Sequence, residues 1–324
     1  MTLIEAENLN KNFKIYSRGE GITGYLKSFV SRDYDEVNAV ENLNLEIEKG
    51  NMIGYIGANG AGKSTTVKML TGILEPTSGR IEVNGINPHE ERKKNAMNIG
   101  VVFGQKTQLW WDLPVKESFK LLKDIYEVSD EDYEARIDEF DEVLQLSDFW
   151  DQPVRKLSLG QKMRCELAAA FLHHPKIVYL DEPTIGLDVA VKERIRDFIR
   201  KMNDEINITV ILTTHDIGDI EDLCERIIVL DEGRKIYDGA LTELVNNYTS
   251  RRIILETDDI IELEIEGVEE VESINRKTKI LFDSEKISAS ELMNKVLEKY
   301  DVGDFQIKEP DIEMVVKKIY NEGI

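Results

Sequence analysis

Residues 52–65 read MIGYIGANGAGKST, and that stretch decides the fold. A hydrophobic run, Met52–Ile56, leads into Gly57–Ser64, which fits the spacing Gly-x4-Gly-Lys-Ser, and a helical pattern, STTVKMLTGI, follows at once. Strand, glycine loop and helix in that order form a cradle for phosphate. The backbone N–H groups of Gly57, Ala58, Asn59, Gly60, Ala61 and Gly62 crowd round an anion at a helix N-terminus, where aligned peptide dipoles favour negative charge. Lys63 is placed to neutralise β- and γ-phosphates and Ser64 to ligate Mg²⁺, with Thr65 beside it in the first helical turn.

Working outward, short apolar runs alternate with helical patterns up to about residue 245, the sign of an α/β domain. Strands are expected at Leu43–Glu48, Met52–Gly57, Ile99–Phe103, Ile177–Asp181, Thr209–Thr213 and Arg226–Leu230. Two stretches break the pattern. Residues 17–38, polar and glycine-bearing, read as an insertion. Residues 113–150 are helical without a strand signal: Tyr133, Ile137, Phe140 and Leu144 share one helix face behind a Ser129–Asp132 cap, and the stretch 113–160 reads as a helical subdomain. Past residue 245 the composition shifts. Ile261, Leu263 and Ile265 alternate with Glu262, Glu264 and Glu266, the period of a strand, and helices are expected at Ala289–Tyr300 and Asp311–Tyr320. Residues 246–324 thus read as a small α+β appendage.

The charge balance narrows the partners. With 63 acidic against 41 basic residues the formal net charge is −22, and such a surface repels a nucleic-acid backbone. Cys165 and Cys224 lack ligand-type spacing, which argues against a disulfide framework or zinc site. Neither a secretory leader nor a run of 18 apolar residues is present, so a membrane span would have to come from another chain.

Three further stretches carry chemistry. In KIVYLDEP, residues 176–183, an apolar strand delivers Asp181 and Glu182 to its carboxyl end, where the nucleotide of a phosphate-loop fold lies. Asp181 would hold the metal's water shell and Glu182 would orient and deprotonate an attacking water; an isolated Asp-Glu after a strand is more often a turn. ILTTHD, residues 211–216, repeats the arrangement with His215, placed to join the γ-phosphate to the catalytic carboxylate. KLSLGQK, residues 156–162, sets Ser158 and Gly160 at the start of a second helix, another anion site.

Taken in order, these motifs resemble the ATP-binding subunit of an ABC transporter over roughly residues 1–245. The phosphate loop is Gly57–Ser64, the glutamine loop VVFGQ ends at Gln105, the signature is Leu157–Gln161, and Asp181–Glu182, Asp188 in GLD and the switch histidine His215 follow. The resemblance implies a P-loop NTPase: a RecA-like core with an antiparallel β lobe and a helical subdomain. It also implies ATP and Mg²⁺ as cofactors, with Gln105 joining Ser64 and Asp181 at the metal and Glu182, His215 and Gln105 in catalysis. A second copy, or a homologous ATPase subunit, would sandwich two ATP molecules head to tail. Ser158, Gly160, Gln161 and Asp188 of each chain would then meet the nucleotide held by the other. This signature departs from the family's usual LSGGQ, with Leu159 in place of the first glycine. Adenine would stack on an aromatic residue: Phe13 matches from the N-terminal side and Tyr34, five residues before Ala39, from the other, with Tyr34 preferred because it precedes the strand leading to the loop.

The family further implies an integral-membrane permease as partner and a peripheral location on the cytoplasmic face of the cell membrane. QLWWDLP, residues 108–114, borders the family's groove for a permease coupling helix, so Trp110 and Trp111 are candidate anchors. The run KEPDIEMVVKKIY, residues 308–320, resembles the ending of subunits that serve exporters. The competing class is a soluble ABC ATPase of ribosomes or nucleic acid; such proteins usually carry two ATPase domains or a long insertion, and the acidity counts against them. A ligand-sensing role for residues 246–324 stays open.

Overall fold

An N-terminal run of alternating residues builds a long hairpin. β1 (Thr2–Tyr16) pairs antiparallel with β2 (Tyr34–Glu48) and on its other edge with β4 (Ser78–Val83). The structure, a computed structural model, describes residues 1–16, 34–104, 106–246, 250–308 and 315. β2 begins at Tyr34, so residues 34–38 of the stretch read as an insertion are strand, in register from Tyr16↔Tyr34 to Asn12↔Asn38; residues 17–33 lie outside the described residues.

The second sheet carries the site. Its order is β5-β6-β7-β3-β8-β9, with β3 at Met52–Gly57, β5 at Ile99–Phe103, β6 at Ile177–Asp181, β7 at Thr209–Thr213, β8 at Arg226–Asp231 and β9 at Arg234–Ala240. The registers from β5 through β6, β7 and β3 to β8 are parallel. Parallel strands covered on both faces need continuous apolar sequence, and every residue of β7 is buried. The two sheets share one core, in which Leu9 and Leu43 of the hairpin pack with Tyr55, Tyr179 and Ile228. Because β3, β6 and β7 are adjacent and parallel, their carboxyl ends open side by side.

Helices fill the crossovers. α1 (Lys63–Leu70) follows β3, and a short α2 (Arg92–Ala96) precedes β5. Between β5 and β6 lie α3 (Val115–Ile125), α4 (Asp130–Leu144) and α5 (Leu159–Phe171). α6 (Val189–Ile206) and α7 (Ile217–Leu223) flank β7. Ser129 caps α4, accepting from the Asp132 amide, and Phe198 of α6 meets Phe140 and Phe171 edge-on at 5.3 and 5.1 Å. That aromatic knot ties α4 and α5 to α6.

The chain divides into two compact units, Met1–Asp238 and Gly239–Ile324. The second unit holds α8 (Leu241–Asn246), a four-stranded antiparallel sheet and α9 (Ala289–Leu297). The sheet comprises β10 (Ser250–Glu256), β11 (Val268–Ile274), β12 (Lys277–Asp283) and β13 (Asp304–Lys308), in the order β11-β12-β10-β13. The expected strand Ile261–Glu266 is not one. β10 has β12 on one edge and β13 on the other, and the segment pairs with no strand among the described residues. Its alternation still reports burial, since Ile261 is buried and Leu263 and Ile265 pack on the core. The Tyr300 hydroxyl serves its backbone, accepting from the Glu262 N–H and donating to the Glu262 carbonyl. Of the expected helix Asp311–Tyr320, only Val315, helical and buried, is among the described residues.

Candidate active site

At the carboxyl end of β3 the chain turns through Ala58–Gly62 into α1. Gly60 and Gly62 take φ values of +88° and +98°, left-handed backbone that favours glycine. A Cβ on Gly62 would also stand 2.5 Å from the Ala39 carbonyl oxygen. β2 therefore passes too close to the loop for a side chain. α1 has no side-chain cap and no acid in its first turn, whereas Ser129, Ser158, Asp188, Asp216 and Ser288 cap α4, α5, α6, α7 and α9. Its first amides are left for an anion. The Lys63 ammonium curls back over the loop, donating to the Gly57 carbonyl at 2.5 Å and the Ala58 carbonyl at 3.2 Å. Burial holds its pKa below the ordinary lysine range, against the opposing pull of Glu182 and Asp181.

The neighbouring strands bring the carboxylates. Asp181 ends β6, and its Oδ1 accepts from the Thr213 hydroxyl at 2.5 Å, which locks it to the end of β7. Glu182 turns into left-handed backbone, φ +56°, with its N–H donating to the Thr213 carbonyl at 2.9 Å. Its Oε2 accepts from the His215 amide at 3.3 Å, and His215 Nε2 stands 3.4 Å from Oε1. That Oε1 is buried and meets no hydrogen-bond donor among the described residues, an unusual state for a carboxylate oxygen. Burial is the main reason the Glu182 pKa is raised; Asp181 adds to it, and His215 and Lys63 oppose it. Residues 58–65, Asp181, Glu182, Ile185 and His215 line one cleft of about 460 Å³.

Ser158, Gly160, Gln161 and Asp188 are not among that cleft's lining. Ser158 caps α5 in a reciprocal box with Gln161: the Gln161 amide donates to the serine hydroxyl, and the Ser158 amide to the glutamine Oε1. Asp188 caps α6 through the Val191 amide at 3.0 Å. Gly160 is close to that same turn, since a Cβ there would lie 3.3 Å from Val191. The two motifs thus form a second cluster. Gln105 lies outside the described residues, as does the side chain of Tyr34. Phe13 is exposed, with the Lys11 ammonium 5.3 Å from its ring.

Sequence reasoning passed over Thr213, whose hydroxyl fixes Asp181, and Glu166. Glu166, buried on α5, accepts from the Thr107 hydroxyl and the Gln108 amide and so fastens the segment leading to Trp110 and Trp111 onto the signature helix. A lone acid in a helical pattern carries no period or spacing that announces such a bond.

The ABC transporter family profile matches residues 40–185. The ATP-binding protein NatA of Bacillus subtilis is 33% identical over 216 residues, 67% of this chain and 86% of that one. The chain belongs to the ABC transporter family. The linearmycin resistance ATP-binding protein LnrL of Bacillus subtilis is 31% identical over 241 residues, 74% of this chain and 75% of that one. The methionine import ATP-binding protein MetN of Geobacillus kaustophilus is 35% identical over 215 residues, 65% and 63% of the two chains. An ATP-binding cassette solved as a dimer in a post-hydrolysis state with ADP and Pi superposes with a TM-score of 0.61 at 29% identity, covering 74% of this ABC protein and 98% of that chain. The ABC ATPase is accordingly an ATP hydrolase that works with Mg²⁺. Its donor set fits that ion. Ser64 and Asp181 line the same cleft, Asp181 held by the Thr213 hydroxyl, and Mg²⁺ is ordinarily held by one or two protein groups together with substrate phosphates and water. No helix among the described residues of this ABC ATPase is long and apolar enough to cross a membrane.

Proposed function

We propose that this chain is the ATP-hydrolysing subunit of a transporter, closing head to tail on a second copy and driving a separate permease in the export direction from the cytoplasmic face of the membrane. The observation that carries the dimer is the division of the site. One cleft holds the phosphate loop, Asp181, Glu182 and His215, while Ser158, Gly160, Gln161 and Asp188 lie apart from it. A half-site of each kind per chain makes two whole sites only when two chains meet.

Within each site Ser64, Asp181 and Gln105 would hold Mg²⁺, which neutralises phosphate charge. The loop amides and Lys63 bind the β- and γ-phosphates. Glu182 takes a proton from the water that attacks the γ-phosphorus as the bond to the β–γ bridging oxygen breaks, leaving ADP and phosphate; His215 holds Glu182 and the γ-phosphate in line. Ser158 and the Gly160 amide of the second copy would close on the γ-phosphate. Tyr34 is the adenine stack, supported by the contact of its own strand with the loop at Ala39 and Gly62. Tyr34→Ala should weaken ATP binding; unchanged affinity would move the role to Phe13.

Glu182→Gln keeps the shape and removes the base, so ATP-dependent dimers should accumulate. Light scattering that finds this variant monomeric at saturating ATP and Mg²⁺ would sink the sandwich. The permease reading draws on Trp110 and Trp111, 38% and 53% exposed, with Lys162 5.1 Å from the Trp111 ring. Export draws on the resemblance of the C-terminal run and on the resistance function in the name LnrL, against the import in the name MetN. Purifying the tagged chain from its own membranes should bring down a polytopic protein, and Trp110→Ala with Trp111→Ala should lose it. Ribosomal partners instead would leave the ATPase and remove the transporter.

A further inference from the structure

The carboxylate of Asp219, on α7, is fully buried. Such a charge survives burial only when it is paired and hydrogen-bonded, and its donors come from three segments. The Thr184 hydroxyl donates to Oδ2, the Thr214 hydroxyl to the same oxygen at 3.3 Å, and Arg196 Nε to Oδ1 at 2.8 Å. Thr184 is two residues beyond Glu182, Thr214 is directly before His215, and Arg196 is on α6, the helix that Asp188 caps. The other arm of Arg196 donates to Asp222.

We infer that Asp219 is the positioning residue of the hydrolytic pair: by joining Thr184 to Thr214 it fixes the loop that bears Glu182 against the loop that bears His215. Glu182 needs such a tie. Its left-handed backbone, φ +56°, costs free energy for a residue with a Cβ, and strained residues persist where their surroundings over-determine them. The 3.3–3.4 Å contacts between Glu182 and His215 are too long to impose that conformation alone, and the 2.9 Å bond from the Glu182 N–H to the Thr213 carbonyl holds only the amino side of the residue. Asp219, aligned by Arg196, supplies the constraint from behind, and none of its bonds touches the phosphate loop. The inference rests on Glu182 as base and His215 as its partner.

The test is steady-state ATP hydrolysis by the full chain carrying Asp219→Asn, Thr184→Val or both, alone and with Glu182→Gln. Thr184 is buried, and valine matches its shape without the hydroxyl, so this variant should fold even where Asp219→Asn does not. Displacing a catalytic group by about an ångström costs up to roughly a hundredfold. Each single variant should therefore lose roughly ten- to a hundredfold in kcat while KM for ATP stays put. The double variant should be no worse than Asp219→Asn. On the residual rate of Glu182→Gln, either change should have no effect, because there is no base left to position. A loss of folded protein would lower that residual rate by the same factor as in the wild-type background, and that result overturns the inference. Wild-type kcat in folded Thr184→Val overturns it too. If Glu182→Gln or His215→Ala itself hydrolyses ATP normally, the underlying reading of the pair has failed instead.

Discussion

At the scale of single residues, the chemistry is set by how one carboxylate, Glu182, is buried. Burial holds Glu182 above the usual carboxylate range, so it keeps its proton to a higher pH than a free side chain. Protonated, it cannot accept one from water. Hydrolysis should fall as pH drops through this raised pKa, with an acid limb displaced upward from that of an ordinary carboxylate. His215 opposes the shift, so His215→Ala should move the limb of its residual activity higher still, as a kcat/KM profile on both proteins would show; an unmoved limb would assign it to another group. The sign for stability is the reverse of a salt-bridged acid. The folded state binds the Glu182 proton more tightly than the unfolded chain, so its contribution is present at low pH and lost as pH rises from the unfolded to the folded pKa. Glu182→Gln should then melt higher than wild type at neutral pH without nucleotide, a gain in stability at the expense of catalysis.

At the scale of elements, α5 shows one residue serving two ends. Ser158 is a helix cap within its own chain and, in the dimer proposed above, a ligand for the nucleotide of the other. Ser158→Ala should cost about 1 kcal/mol in denaturant unfolding through the lost cap. Because Ser158 does not line its own chain's cleft, ATP affinity of the dilute monomer should not change, while ATP-dependent dimerisation should. A fall in monomer affinity would merge the two half-sites into one. The start of α5 was legible in sequence because Ser158 and Gly160 stand just ahead of a helical run, whereas the reciprocal box with Gln161 emerged only in the structure. Ile261–Glu266 misled because alternation reports which side chains are covered, not whether a neighbouring strand is there to accept the backbone.

For the whole molecule, the division at Asp238 separates the nucleotide machinery from the C-terminal sheet, which has its own core around Ile253, Leu255, Ile280 and Phe282. A ligand that binds only the first unit should stabilise only that unit, by about 2.7 kcal/mol at a hundred times its Kd. Scanning calorimetry with Mg²⁺ and ATP should show one transition moving and one in place; a single transition that moves intact would mean the units melt as one.

The sequence by itself determined the parallel core and the polar residues of the cleft, though not Ile185, which also lines it. Glycine spacing, apolar runs of strand length and acids at strand ends are local signals, each set by the backbone within a few residues. β3, β6 and β7 stand where those runs predicted, and Lys63, Asp181, Glu182 and His215 meet at their ends. Only the tertiary structure decided what holds them there. The Thr213 bond to Asp181, the Asp219 tie between two loops and the Glu166 latch join residues up to 59 apart in the chain. No period links such partners, because a buried carboxylate selects its donors by the space that folding leaves around it.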